Sequence, residues 1–134
     1  MTTYVRMRVA AEEYAIPVEH VIEVAPLGSV TAVPGARPEV LGVLSMRGCV
    51  LPVVDLARLL GLSGPEPPRQ LLVAEHGGLA VGFAIDAVRE VAELPPVTAE
   101  AETDLLTGAT MTGSDLIGII DVPALFSRIE GSGS

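Results

Sequence analysis

The sequence predicts an all-β protein made of two copies of one small unit, with short helices. The first observation is a repeat. Val18-Glu19-x-Val21-x-Glu23-Val24-Ala25-x-Leu27 returns as Ile85-Asp86-x-Val88-x-Glu90-Val91-Ala92-x-Leu94, an offset of 67. Leu51-Pro52-Val53-Val54-Asp55-Leu56-x-x-Leu59-Leu60 returns as Ile117-Gly118-Ile119-Ile120-Asp121-Val122-x-x-Leu125-Phe126, an offset of 66. Two matches in the same order at nearly one spacing imply a duplicated unit. The second observation is the break between the copies, Ser63-Gly64-Pro65-Glu66-Pro67-Pro68, where Pro and Gly stop any regular element. The third is the apolar hairpin pattern in residues 42–55. Repeat one is expected over roughly residues 4–62, the linker over 63–68 and repeat two over roughly 69–130. Each copy reads as about five short strands, enough to curl into a small closed barrel, and the two barrels should share an interface.

The hairpin is the best-defined element. Apolar runs flank Arg47-Gly48, and Gly48 supplies the positive φ that a two-residue turn needs. Asp55 ends the second strand and caps a helical spacing through Leu56, Leu59 and Leu60, which stops at Gly61. Arg47 is the odd residue: a charge at the tip of an apolar hairpin that folding does not require.

The remaining elements follow from alternation and turn residues. Residues 4–9 alternate as a strand with Arg6 and Arg8 on one face, expected to be solvated. Ala11-Glu12-Glu13 reads as a turn and 14–18 as a second strand ending at Pro17. Residues 19–24 read as a turn running into a strand, and 34–38 as a loop. After the linker, 70–75 and 79–85 read as strands around a His76-Gly77-Gly78 turn. Gly82 inside the second of these marks a bulge or a close backbone approach. Residues 87–94 repeat the turn-then-strand pattern, 95–110 read as a long connection, and 115–120 as the last strand. Asp121 should cap a final helix through Phe126 and Ile129, and 131–134 should be disordered.

Composition limits the function. The 134 residues are 49% hydrophobic with mean hydropathy +0.52 but only 3% aromatic, so the core must be Val, Leu, Ile and Ala. The net charge of −9 opposes binding to nucleic acid or anionic lipid. No apolar run is long enough to span a bilayer, and no signal peptide is visible; the lone cysteine fits a reducing cytoplasm. The single Cys49 cannot form an internal disulfide and is expected to pack as a small hydrophobe. No metal or cofactor motif stands out. His20 and His76 lie in separate repeats and read as surface histidines. Asp55 and Asp121 occupy equivalent positions and read as helix caps rather than an acid–base pair. An enzyme is not expected, nor is a cofactor.

The hairpin Gly-Val-Leu-Ser-Met-Arg-Gly-Cys-Val-Leu-Pro-Val-Val-Asp-Leu resembles the signature of the CheW family of chemotaxis coupling proteins, G-V-x-N-L-R-G-x-V-[VIL]-P-[VI]-[VI]-D-L. Ser45 and Met46 depart mildly from it. Glu12-Glu13-Tyr14-Ala15-Ile16, Val81-Gly82-x-x-Ile85-Asp86 and Leu105-Leu106-Thr107-Gly108 fall in family order, so the resemblance covers nearly the whole chain. It implies two SH3-like barrels side by side. It also implies an adaptor that joins transmembrane chemoreceptors to the regulatory domain of the histidine kinase CheA, recruited to receptor arrays at the inner face of the membrane. The implied receptor groove is lined by Val21, Glu23, Gly42, Arg47, Gly82 and Val88. Arg47 is the expected anchor, because a guanidinium fork suits carboxylates and carbonyls. The alternative is a CheW-like module serving another kinase-based system, in motility or development.

Overall fold

The structure, a computed structural model, describes residues 2–101 and 103–131. The expectation for residues 132–134 lies outside the described residues; Gly131 ends the last helix. Ten strands account for most of the chain: β1 (Thr2–Val9), β2 (Glu12–Pro17), β3 (Val21–Pro26), β4 (Val40–Met46), β5 (Cys49–Asp55), β6 (Gln70–His76), β7 (Leu79–Ile85), β8 (Ala87–Leu94), β9 (Leu106–Thr112) and β10 (Asp115–Ile120). A 3-10 turn, Val18–His20, precedes β3, and the helices are α1 (Leu56–Leu59) and α2 (Val122–Gly131).

The strands form two five-stranded sheets, ordered β8-β1-β2-β10-β9 and β3-β6-β7-β5-β4. Replacing each strand of the second order by the one five places away in the chain gives the first order. The duplication read from the sequence is therefore present in the topology, down to the register. The parallel pair Val53–Gly82 joins β5 to β7. Moving Val53 on by 66 residues and Gly82 back by 67 gives Ile119 and Ala15, the parallel pair of β10 and β2.

The sheets do not respect the expected subdomain boundary. Residues 4–62 and 69–130 hold five strands each, but each sheet takes two strands from one repeat and three from the other. The linker 63–68 joins β5 to β6, which belong to one sheet. The chain changes sheet instead at the 3-10 turn after Pro17 and at Asp86. The physical reason is the parallel pairing. β2 and β7 each lie beside the last strand of the other repeat, and two parallel neighbours cannot be joined by a short turn.

Alternation along the strands builds three apolar clusters. On β6, Leu72 and Ala74 face the largest cluster, while Leu71 and Val73 face a smaller one. The largest cluster also takes Val5, Met7, Ile16, Phe83 and Ile120, together with Leu56 of α1 and Leu125 and Phe126 of α2, so it joins both sheets. Leu51, Val53, Leu71, Val73 and Ala84 fill the second sheet's own interior; Ala15, Leu94, Ile117 and Ile119 fill the first's. The core is mainly aliphatic as expected, but both phenylalanines, Phe83 and Phe126, and Met7 are buried in it.

Both helix caps form. Asp55 accepts a hydrogen bond from the Ala57 N–H at 3.1 Å, and Asp121 accepts one from the Ala124 N–H at 3.0 Å. Several expectations fail. β9 occupies the end of what reads as a connection, because Leu106-Thr107-Gly108-Ala109 offers too little apolar alternation to mark a strand. The first turn is Ala10-Ala11 rather than 11–13, with φ of 51° and 66°. Cys49 is exposed, because it follows the hairpin turn on the outward side. Arg6 is only 7% exposed, because Glu13, Glu90 and Asp115 of three neighbouring strands close over it, while Arg8 on the same face stays exposed as expected.

Candidate functional site

The Arg47-Gly48 turn joins β4 to β5, and both residues have positive φ, 51° and 78°. Two successive left-handed residues give the turn whose twist matches the flanking strands. This holds Arg47 out from the strand ends with its side chain 76% exposed. Its guanidinium meets Glu23 of β3: Nη1 lies 2.8 Å from Oε1, and Nη2 donates to Oε2 at 3.3 Å. The fork-to-fork geometry fixes the guanidinium plane. Two of the residues expected to line the groove are therefore direct partners.

The other four are arranged differently. Val21 begins β3 and Val88 lies on β8, so they come from different sheets, yet both are half-buried against the shared cluster. The Val88 N–H donates to Gln70 Oε1 at 2.7 Å, tying β8 to β6. Gly42 is buried with φ of 145°, and a Cβ there would overlap the carbonyl of Thr31, whose residue bridges Val43. Gly82 is buried in β7, where a Cβ would come 2.7 Å from Leu71 Cδ1 and 3.1 Å from Leu51 Cδ2. Both glycines serve close packing behind the hairpin rather than contact at a surface. Gly82 is the close approach that its place in a strand implied.

Several exposed apolar residues escaped the sequence reading. Ile22 and Val24 of β3 alternate with Val21 and Glu23 and turn outward, at 51% and 40% exposure. Val50, just past the hairpin turn, is 72% exposed, and Leu116 of β10 is exposed beside its cross-strand neighbour Met111. The alternation in β3 was readable; the outward side of Val50 was not, since both flanks of its strand are apolar.

At the mouth of the first sheet the charges are denser. Arg6 Nη1 contacts Glu90 at 2.7 Å, and its Nη2 reaches Glu13 at 3.4 Å and Asp115 at 3.6 Å. Glu13 also takes Arg89 at 2.9 Å and Arg8 at 3.6 Å. The hydrogen bond and charge of Glu13 hold the Arg89 guanidinium above its ordinary pKa. Glu90 stands at the repeat position of Glu23, so each sheet pairs an Arg with the same acidic position, through different arginines.

Among the described residues no group of three His, Cys, Asp or Glu is placed to hold a metal ion. No described helix is long and apolar enough to cross a membrane.

Residues 3–130 match the model of the CheW-like domain. A probable chemotaxis protein CheW of Rhizobium etli is 28% identical over 136 residues, covering 94% of this chain and 88% of that protein. The chemotaxis protein CheW of Bacillus subtilis is 28% identical over 130 residues, covering 90% and 83%. The crystal structure of the scaffolding protein TtCheW from Thermoanaerobacter tengcongensis superposes with a TM-score of 0.80 at 28% identity, covering 93% of this chain and 92% of that one.

Proposed function

The chain belongs to the CheW-like family and is a chemotaxis adaptor coupling receptors to the kinase CheA, and we propose that the Arg47 hairpin is its receptor anchor. The observation that carries this reading is the exposed, doubly bonded Arg47 at a turn that folding alone would fill with a small polar residue. The partner is the cytoplasmic tip of a chemoreceptor, a helical hairpin that presents carboxylates and terminal carbonyls. Val21 and Val88 supply apolar contact beside the anchor, Glu23 sets the guanidinium plane, and Gly42 and Gly82 keep the strands behind it close. Helix-in-groove recognition of this kind combines an apolar trough with a few fixed polar groups.

The regulatory domain of CheA docks elsewhere, on small apolar patches at the barrel ends; Met111 and Leu116 offer one. The protein acts in the cytoplasm at receptor arrays, as a scaffold without catalytic chemistry of its own. Binding of purified protein to a receptor signalling fragment and to the kinase regulatory domain, by calorimetry, tests the reading. Arg47→Ala should weaken the first and spare the second. Loss of both together with thermal stability would make Arg47 a structural residue.

A further inference from the structure

His20 and His76 read as separate surface residues in the sequence, 56 positions apart and in different repeats. The fold brings them together. His20 ends the 3-10 turn through which the chain passes from one sheet to the other, and His76 ends β6. Their ring centroids stand 5.5 Å apart, with the planes inclined at 65°. Both residues are partly buried, and the His76 ring also meets the Phe126 ring of α2, with centroids 5.7 Å apart.

The hydrogen bonding of His20 determines which of its nitrogens is free. Its Nδ1 lies 3.1 Å from the carbonyl oxygen of Glu75. A carbonyl only accepts, so Nδ1 donates, and the lone pair of the neutral ring sits on Nε2. An imidazole whose second nitrogen is anchored on a carbonyl is the usual support of a metal ligand. The spacing fits as well. A nitrogen binds a first-row ion at about 2.0–2.1 Å, which puts each centroid about 3.2 Å from the ion and two centroids about 5.2 Å apart at a tetrahedral angle. His20 is held by Glu75, so alignment falls to His76, whose torsion about the Cβ–Cγ bond is broad.

We propose that His20 and His76 form an exchangeable two-imidazole site for a divalent transition-metal ion. No third His, Cys, Asp or Glu joins them among the described residues, so water or a solution ligand completes the coordination. Imidazole donors with open positions favour Cu(II), Ni(II) and Zn(II) over Mg(II) or Ca(II). The repeat counterparts of the two histidines are Ala87 and Val9, so the site occurs once in the duplicated fold.

The test is a titration of the tag-free full chain with zinc chloride, followed by 15N–1H spectra of the histidine rings. One equivalent should move both rings with a common midpoint, and Cu(II) should compete zinc off. His20→Gln and His76→Gln should each weaken binding at least tenfold. Movement of one ring alone, a midpoint unaffected by His76→Gln, or no change up to millimolar zinc would overturn the site. The two-ring readout belongs to the unaltered protein, so it decides the matter even if a variant folds poorly.

Discussion

Arg47 and Glu23 come from opposite flanks of one sheet and meet at 2.8 Å. β3 and β4 are its outermost strands, with three strands between them. In a flat sheet with the usual spacing of about 4.8 Å, they would lie about 19 Å apart. The contact therefore reports how far the sheet curls, bringing the β4–β5 hairpin tip back toward β3. A side chain offered to a partner is thus also held by the sheet's own far edge.

Arg47→Ala should leave stability within about 0.5 kcal/mol of the parent, since an exposed ion pair contributes little. Receptor binding should fall roughly ten- to a hundredfold, as expected for a lost charge-assisted contact of about 1.5–3 kcal/mol. Chemical denaturation and calorimetry on the same preparation separate the two effects.

The two groove glycines should fail in different ways. Gly42→Ala would drive a methyl group into the backbone carbonyl of Thr31 at a positive φ, so a loss of about 3 kcal/mol or more is expected. Gly82→Ala meets the ends of Leu71 and Leu51, which can shift, and should cost about 1–2 kcal/mol. Urea unfolding midpoints should rank them in that order. The reverse order would mean that the Thr31 segment moves more easily than the interior leucines.

Ala11→Gly should stabilise the protein by up to about 1 kcal/mol. The left-handed conformation at φ 66° costs a non-glycine residue about 1–2 kcal/mol, and the flexibility that glycine adds to the unfolded chain offsets only part of that. Ala11 is exposed and its N–H is held by Asp86 at 2.9 Å, so the turn itself should persist. Ala10 is a poorer choice, because it packs against Gly64 of the linker. A rise in Tm is the expected readout.

Arg6→Ala should cost about 2–3 kcal/mol, several times the effect of Arg47→Ala. Its guanidinium is nearly enclosed and bridges carboxylates from three strands, so its loss removes packing and charge-assisted contacts together, while Glu90 and Asp115 are half exposed and stay solvated. Glu13 keeps Arg89 and Arg8 in the variant, so the loss is of Arg6's own contacts rather than of a stranded carboxylate. Equal stability of Arg6→Ala and the parent in urea would show that the cluster is solvated in solution.

The duplication, the hairpin, both helix caps and the aliphatic core were legible because each rests on local chemistry: a turn glycine, a capping aspartate, a period of two. Sheet membership was not. No local signal says that β2 pairs with β10 rather than with β3, because parallel neighbours are chosen by long-range packing. The same limit explains Arg6, whose alternation with Val5 and Met7 gave its face correctly but could not say that carboxylates from three other strands would close over it. It also explains the histidines, which only the crossing of the chain between sheets brings side by side. At the candidate site, Arg47 stood out as a charge in an apolar setting, whereas its pairing with Glu23 needed the curl of a sheet that no window of sequence contains.

The exchange of strands between repeats makes the two halves hostages of each other. A proteolytic nick at Ser63–Pro68 would sever the peptide without severing the body, because each piece carries strands that the other's sheet lacks. Neither piece alone could complete a sheet. Two identical copies of one half, though, could interlock in the same handshake, so the fold contains within itself the plan of a half-length homodimer.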